Sequence, residues 1–384
     1  MDISLISINS LLTIIFILII IGSIEMQMHL KSINKIPIRV HVNGTRGKSS
    51  VVRLIASGLR NGGYKTLAKT TGTVPRIINE SGKDIELHRL RSASIGEQIK
   101  LIRYFSKQSP DVMVVECMAV NPQYQWISEH RIIRSNISVI TNVRKDHVDE
   151  MGLTNKDIAY SLSNTIPYNS KIFTSEKKYF NIFKEVSNDR NTNIIRADEN
   201  DIDDEYINNF HYLEHPENIS LALEVCKELG VSKGEALEGM LNTNPDPGAL
   251  LIWDIKNNNN FVSAFAANDP DSTLKVWNLI KNKFNNKICF FLNTRNDRRY
   301  RTLQLIDLVV KKINPDLFII RGDNITSKMY SSNDNIKFKI FTMDTSQDKV
   351  VDYILQLKKH SIVGIGNMVG WGEIFLKQLE KYKI

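Results

Sequence analysis

The feature that most restricts the fold of this chain is a glycine-rich loop, VNGTRGKSS, at residues 42–50. The segment before it, IPIRVHV at residues 36–42, predicts a short strand, and residues 48–61 after it have the apolar spacing of a helix. Backbone N–H groups at such a turn, together with a helix N-terminus, form a nest for phosphate oxygens. The order strand, loop, helix therefore predicts a phosphate-binding loop in an α/β fold, against the alternative of a chance Gly-Lys-Ser turn.

Each residue type in this loop suits one part of nucleotide binding. Lys48 is predicted to reach the β- and γ-phosphates as a catalytic residue, and the Ser49 hydroxyl to ligate Mg²⁺. The usual motif has a further glycine where this chain has Val42, so GTRGKS is a shortened variant. The predicted nucleotide-binding residues of the loop are Asn43, Gly44, Thr45, Arg46, Gly47, Lys48, Ser49 and Ser50.

Two further apolar runs, residues 111–118 and 136–143, are typical of strands that are buried on both faces. Alternating strands and helices predict a mostly parallel sheet, which binds its ligands at the carboxyl ends of the strands. Glu116 lies near the end of the first run and is a candidate metal ligand, although an exposed strand-end carboxylate is the alternative. His147, among acidic residues after the second run, is another candidate metal ligand, with a structural histidine as the alternative.

Residues 5–24 form an uncharged segment of 20 residues. As a helix, such a segment spans about 30 Å, the thickness of a bilayer core. No basic residue precedes it and no small-residue cleavage site follows, whereas Lys31, Lys35 and Arg39 come after it. We therefore expect a single N-terminal span in the cell membrane with the remaining chain in the cytoplasm. The alternative is a buried core helix, but isoleucine on every face favours the membrane.

Composition narrows the function further. A content of 42% hydrophobic and 24% charged residues excludes a disordered chain, a collagen-like fibre and a polytopic membrane protein. Its net charge of +8 indicates an anionic partner. We expect that this partner is not a nucleic acid, because the sequence has no aromatic RNA-binding strand, helix-turn-helix motif or block of basic residues. Three scattered cysteines without a CxxC pair indicate reduced thiols and not a zinc site.

The 384 residues suggest two or three domains, and the turn-rich segment 244–248 is the best candidate boundary. The predicted domains are the anchor at 1–30, a central domain at 31–246 and a C-terminal domain at 247–384. Residues 181–210 lack a clean period and are predicted to be surface excursions with weak secondary structure. Beyond the boundary, alternating patterns predict a second α/β domain with strands near 250–255, 261–266, 287–294, 317–321, 338–342 and 361–366.

The loop and strand-end motifs together resemble the Mur ligase superfamily of ATP-dependent amide ligases. Residues 44–49 match the form GTxGK[ST], and residues 141–152 match TN-x3-DH-x-D-x2-G in full. The resemblance covers residues 36–384. It implies a central P-loop domain with a mostly parallel sheet and a smaller Rossmann-like α/β C-terminal domain, preceded by the N-terminal membrane helix. It also implies ATP and Mg²⁺ as cofactors, with ADP and phosphate released.

Within that superfamily, the chain is most similar to the ligase subunits of poly-γ-glutamate synthases. The shared strings are HVNGTRGKSS, TTGT-x-PR, VVECMAV-x-P, TNVRKDHVDEMG, AFAANDP-x-ST, LNTRNDR and GIGN. This resemblance implies polymerisation of glutamate into poly-γ-glutamate through an acyl phosphate. It also implies glutamate, the polymer and other membrane subunits as partners, and it is compatible with a homo-oligomer.

The resemblance also assigns residues. It adds Asn142, His147 and Arg295 to Lys48 as catalytic residues and adds Thr71 to the metal ligands. Further nucleotide contacts are Asn218, Arg295, Asp297 and Arg298, and the substrate-binding residues are Thr73, Arg76, Asn268 and Asp269. One departure is the helix at 158–166, which lacks the carbamylated lysine that many Mur ligases use for a second metal.

Two other functions stay open on the sequence alone. One is another ligase of the same chemistry, such as a folylpolyglutamate or peptidoglycan-precursor ligase, which would need no membrane anchor. The other is a membrane-tethered regulatory P-loop NTPase that binds nucleic acid or a protein partner.

Overall fold

A computed structural model describes residues 3–384 except 72–74, 88–93, 208, 211, 213, 246–249, 266, 268 and 327–334. Its helices are α1 Ile3–Asn34, α2 Lys48–Asn61, α3 Gly96–Ser106, α4 Pro122–Ile127, α5 Val148–Met151, α6 Asn155–Leu162, α7 Phe180–Asp189, α8 Asp204–Ile207, α9 Pro216–Glu228, α10 Lys233–Leu241, α11 Pro270–Ile280, α12 Arg299–Leu308, α13 Gln347–Gln356 and α14 Trp371–Glu380. Its strands are β1 Ile38–Asn43, β2 Thr66–Thr70, β3 Arg76–Ile78, β4 Asp84–Glu86, β5 Val112–Glu116, β6 Ile137–Ile140, β7 Lys171–Thr174, β8 Asn193–Arg196, β9 Leu251–Ile255, β10 Asn259–Ser263, β11 Lys287–Asn293, β12 Leu317–Arg321, β13 Lys337–Phe341 and β14 His360–Gly366.

The chain divides into two compact units. The first contains Met1–Asp203 and His215–Asn244, and the second contains Asp204–Glu214 and Pro245–Ile384. The predicted boundary between residues 246 and 247 lies outside the described residues. The sequence did not predict that residues 204–214 group with the second unit.

The first unit is built on an eight-stranded sheet with the order β4-β3-β2-β5-β1-β6-β7-β8. Strand β1 lies between β5 and β6 and is parallel to both, which explains the continuous apolar runs that the sequence shows there. Within the described residues, the antiparallel pairs of this sheet are β2 with β3 and β3 with β4. The parallel central strands place the glycine-rich loop, Glu116 and the segment after β6 at one edge of the sheet, as predicted.

The prediction for residues 181–210 is wrong. This stretch contains α7 and also β8, which pairs in parallel with β7 through partners such as Ile172 and Ile194. Strand β8 is at the edge of the sheet and is half exposed, and α7 buries little besides Phe183 and Ser187. Because so few positions face the core, the Asn- and Asp-rich sequence hides both periods.

Helix α1 is 32 residues long, and residues 9–34 have a mean hydropathy of 2.3 in their most apolar window, none of which is buried. Among the described residues it is the one helix long and apolar enough to cross a bilayer. This exposure removes the alternative of a buried core helix. The end of α1 packs on the first unit through Ile33, and three residues lead directly into β1.

Among its described residues, the second unit has a six-stranded sheet with the order β13-β12-β11-β14-β10-β9, in which β9 is antiparallel to β10 and the other neighbouring strands are parallel. Alternate residues of β11 point to opposite faces. Phe290 belongs to one apolar cluster and Phe291 to the other, so both faces are covered. The predicted strands are confirmed with small shifts at their ends. Asn257 and Asn258 have φ of 66° and 56° and form the hairpin tip between β9 and β10.

Candidate nucleotide and metal site

The loop between β1 and α2 has the backbone geometry that only glycine allows at two positions. Gly44 has φ of 131° and Gly47 has φ of 81°. A Cβ on Gly44 would collide with Thr141, and one on Gly47 would lie 2.7 Å from Asn218 Oδ1. Gly47 is the N-cap of α2, and no described side chain caps this helix start. The first N–H groups of α2 are therefore available to an anion.

Asn142 holds this loop through its side-chain amide. Its Oδ1 accepts hydrogen bonds from Thr45 Oγ1 at 2.9 Å and Arg46 N at 3.2 Å, and its Nδ2 donates to Arg46 O at 3.0 Å. Thr141 Oγ1 donates to the same Arg46 carbonyl at 2.7 Å. The Thr-Asn pair after β6 therefore fixes the loop that follows β1.

The remaining loop residues have defined partners. Lys48 Nζ donates to Gly44 O at 2.8 Å, so the lysine lies along its own loop. Arg46 forms an ion pair with Asp146, with 3.4 Å between Nη2 and Oδ2. Asn43 points into the unit, where its Nδ2 donates to Gln125 Oε1 at 2.9 Å. Asn43 therefore lies under the loop, and no local motif indicates that Gln125 is its partner.

Glu116 connects the loop to the end of β2. It is 3% exposed, and its Oε2 accepts hydrogen bonds from Ser49 Oγ at 2.8 Å and from the backbone N of Thr71 at 2.6 Å. A carboxylate beside a serine hydroxyl is a set of hard oxygen donors, which suits Mg²⁺. Thr71 reaches this carboxylate through its backbone and not through its hydroxyl. These residues fit the predicted metal.

A pocket of about 230 Å³ opens beside these groups and is lined by Lys48, Thr71, Glu116, Asp146 and His147, among others. His147 has left-handed backbone angles at the start of α5, and its side chain is 55% exposed. The described residues contain no group of three or more His, Cys, Asp or Glu side chains that could hold a metal ion. The structure thus brings His147 to the same pocket as Glu116, and its ligand role stays a prediction.

Two other predicted site residues of the first unit, Asn218 and Arg76, have contacts within the protein. Asn218 lies on α9, is 5% exposed and lies against Gly47, so it contacts the phosphate loop itself. Arg76 on β3 forms an ion pair with Glu86 on β4 at 3.2 Å, which engages it in the antiparallel hairpin. Thr73 lies outside the described residues.

A buried ion pair beneath the site was not predicted. His41 on β1 is fully buried, and its Nδ1 lies 2.7 Å from Glu129 Oε2. The other oxygen of Glu129 accepts from Ser135 N and Oγ. Burial disfavours the charged imidazole, but Cys117 and Glu129 outweigh it and raise the pKa of His41 to about 10. Because His41 and Glu129 are far apart in the sequence, no local motif indicates the pair.

The predicted residues of the second unit lie near the carboxyl ends of its strands. Arg295 follows β11 and donates from Nε and Nη2 to the two carboxylate oxygens of Asp297 at 2.8 and 2.7 Å, which lowers the pKa of Asp297. Arg298 lines a small pocket with Arg295 and Asn367. Asp269 caps α11 by accepting from Ser272 N at 2.9 Å. Asn268 lies outside the described part of the chain.

Arg321, at the end of β12, is a residue of this edge that sequence reasoning missed. It is 4% exposed, and its Nη1 donates to Asn293 Oδ1 at 3.0 Å. Its guanidinium carbon lies 4.1 Å from the centre of the Trp371 ring. Burial lowers its pKa, against the influence of Asp323 and Asp344. An arginine that ends an apolar strand is the signal that could have found it.

A phosphate loop on a parallel sheet, held by a Thr-Asn pair and faced by a strand-end glutamate, defines the class of Mur-type ATP-dependent amide ligases. Residues 42–232 match the Mur ligase middle domain, and residues 251–382 match the poly-gamma-glutamate synthase CapB C-terminal domain. Both PGA synthase CapB of Bacillus subtilis and capsule biosynthesis protein CapB of Bacillus anthracis are 37% identical to 96% of this chain, which covers 96% and 82% of them. The chain belongs to the CapB family of poly-γ-glutamate synthase proteins, which confirms the resemblance.

Solved structures show the same fold at low identity. Escherichia coli FolC in complex with ADP has a TM-score of 0.72 and 13% identity, covering 93% of this chain and 92% of that chain. The Yersinia pestis folylpolyglutamate synthase/dihydrofolate synthase with AMPPNP and Mn has a TM-score of 0.71 and 13% identity, covering 92% of each chain. The predicted α/β fold is thereby confirmed.

Proposed function

We propose that this chain is an ATP- and Mg²⁺-dependent ligase that extends γ-linked polyglutamate. The observation that carries the proposal is the contact of Glu116 with Ser49 and the Thr71 backbone, because it places a buried carboxylate directly against the glycine-rich loop, where it supports a Mg²⁺ site. The names of the two CapB relatives support the product. Structures of the same fold hold ADP, or AMPPNP with Mn, which supports the nucleotide and the metal.

ATP would bind with its phosphates on the loop amides and the α2 N-terminus. Lys48 would leave the Gly44 carbonyl and neutralise charge on the β- and γ-phosphates. Ser49 and Glu116 would hold Mg²⁺, which neutralises phosphate charge when bound. Asn218, beside Gly47, is the proposed nucleotide contact on α9. Arg295, Asp297 and Arg298 are the proposed nucleotide contacts of the second unit, and Arg295 is also proposed to be catalytic.

The reaction has two steps. A side-chain carboxylate of the polymer attacks the γ-phosphorus, so that an acyl phosphate forms and ADP leaves. The amine of glutamate then attacks the acyl carbon, an amide bond forms, and phosphate and a proton leave. The protein orients the reactants and excludes water, since an exposed acyl phosphate hydrolyses. Lys48 and His147 line the pocket as proposed catalytic residues, and Asn142 keeps the loop in the required shape.

The net charge of the chain supports the proposed substrate, and helix α1 supports the proposed location. A net charge of +8 suits a polyanionic chain and an anionic monomer. Thr73, Arg76, Asn268 and Asp269 are the proposed substrate contacts. We further propose that α1 spans the cell membrane with both units in the cytoplasm, beside other membrane subunits of a synthase and with possible self-association.

The test is incubation of membranes that contain the full chain with labelled glutamate, ATP and Mg²⁺, followed by linkage analysis of the polymer. Lys48→Ala should abolish synthesis, while Lys83→Ala, at an exposed turn, serves as the matched control and should retain it. Synthesis that persists in Lys48→Ala would refute the site. ATP hydrolysis that ignores glutamate and polyglutamate but responds to nucleic acid would favour the regulatory NTPase instead.

A further inference from the structure

Helix α1 joins its apolar segment to the first unit without a hinge. Glu25, the first charged residue after the uncharged segment, forms an ion pair with Arg103 of α3. One turn later, His29 is buried and its Nε2 contacts Ile132 O at 2.9 Å, and Ile33 is 2% exposed. The same continuous helix therefore contains both the proposed span and the segment that packs on the catalytic unit. This continuity fixes which surface of the unit lies beside the bilayer.

Helix α3 presents one polar stripe on the surface that surrounds Arg103. Lys100, Arg103, Tyr104 and Lys107 are spaced i, i+3, i+4 and i+7, which places them on one helix face. Lys107 extends the stripe because it keeps helical backbone angles, with φ of −73° and ψ of −20°. Lys100 and Lys107 are exposed, Tyr104 is 47% exposed, and the side chain of Arg103 is 28% exposed.

The other face of α3 is fully engaged in the core. Leu101, Ile102 and Phe105 are at most 5% exposed and pack in one cluster with Ile33. Glu97, the acidic residue of the first turn, points to the buried Lys69, with 3.0 Å between Oε1 and Nζ. Its negative charge is therefore compensated within the unit. Because Glu25 pairs with Arg103, the net positive charge of the stripe comes from the exposed Lys100 and Lys107.

We propose that this α3 stripe lies on the bilayer and binds anionic lipid headgroups, an inference that depends on the membrane anchor proposed above. Glu25 marks the boundary of the uncharged segment, so its partner Arg103 lies at headgroup level. The surface potential of an anionic leaflet acts over about one Debye length, roughly 8 Å at physiological salt. Lysines, an arginine and a tyrosine are the residue types that settle at a membrane interface.

The test uses the full chain in nanodiscs with a fluorophore at position 104. Because Cys117, Cys226 and Cys289 are all buried, Tyr104→Cys provides a selective labelling site. Tyr124→Cys is the matched control, since Tyr124 is 53% exposed and lies on α4, which follows the opposite end of β5. Discs contain either phosphatidylglycerol or only phosphatidylcholine, each with headgroup-level spin labels that quench the fluorophore.

We expect strong quenching at position 104 in phosphatidylglycerol discs, weaker quenching in phosphatidylcholine discs, and little at position 124. Adding Lys100→Glu and Lys107→Glu should lower the fraction of molecules whose α3 stripe contacts lipid. The ratio of molecules in contact to molecules not in contact should fall at least about fivefold for each cation lost. Equal quenching at both positions would overturn the proposal, as would quenching that ignores lipid charge. Contact that requires another membrane protein would also overturn it. Loss of the anchor itself is separately visible, because the chain would then fail to co-elute with the discs.

Discussion

Replacing Asn142 with alanine tests whether this side chain serves the loop or the chemical step. The substitution removes two hydrogen bonds to Oδ1 and one from Nδ2, all of them to Thr45 or Arg46. At about 1 kcal/mol for each bond, the loss is about 3 kcal/mol. If the whole loss falls on the ATP-competent loop conformation, the Kd for ATP rises about 150-fold. Thr45 Oγ1 keeps a second acceptor in Asn142 O, so the fold should survive.

Two measurements separate the possible outcomes. Calorimetry gives the Kd of ATP with Mg²⁺, and single-turnover phosphate release gives the rate at saturating nucleotide. We expect a large rise in Kd and a small change in the saturated rate. Asn164→Ala is the matched control, because in the described part of the chain Nδ2 of Asn164 donates to the nearby carbonyls of Tyr160 and Ser161, away from the loop. That variant should lose some stability and keep its affinity for ATP.

The reverse pattern would refute this reasoning. That pattern is an unchanged Kd with a saturated rate that is 100-fold slower. The slower rate corresponds to a loss of about 2.7 kcal/mol of transition-state stabilisation, and it would make Asn142 a catalytic residue that acts only in the transition state. Circular dichroism should show that the variant keeps the fold of the parent chain in either case, since Thr45 Oγ1 keeps its bond to Asn142 O.

Glu116→Gln should raise the Mg²⁺ concentration needed for half-maximal activity at least about tenfold, since an anionic oxygen donor becomes neutral. The measurement is a magnesium titration of phosphate release, and an unchanged midpoint would contradict the prediction. Gly47→Ala should abolish ATP binding in calorimetry, because φ of 81° is strained for alanine and its Cβ would meet Asn218; retained affinity would argue against the loop geometry. The pKa of His41 is raised to about 10, so its stabilising contribution is complete below about pH 6.5 and is lost as the pH rises through 10. Urea midpoints should therefore fall in alkali for the parent chain and change less in Glu129→Gln, and parallel curves would count against the ion pair.

Local sequence predicted the parts of the site that are contiguous in the chain. The glycine-rich loop, the glutamate at the end of β5 and the segment after β6 each follow a buried strand, and parallel strands bring such segments to one edge. The apolar helix α1 was equally predictable, because a run of twenty uncharged residues is typical of a membrane-spanning helix. These features depend on one strand or one helix at a time.

The parts that could not be predicted depend on partners far apart in the chain. Nothing near Asn43 indicates Gln125, and nothing near His41 indicates Glu129, because each pair forms only after the sheet and its covering helices pack. Backbone contacts are also invisible in a sequence, so nothing in the sequence indicates that the backbone N–H of Thr71 donates to Glu116. Edge elements such as β8 were missed because a half-exposed strand has a weak hydrophobic period.

The three-residue passage from α1 to β1 has a consequence for how the enzyme meets its partners. Strand β1 is six residues long, so the phosphate loop lies about 20 Å from the start of β1, and only the three-residue passage separates that strand from α1. With α1 in a bilayer, the site would search a thin layer in two dimensions and not a volume. Its effective concentration toward another protein of the same membrane would then be set by lipid diffusion and surface density, and a Gly-Ser insertion between Asn34 and Ile38 would dilute it.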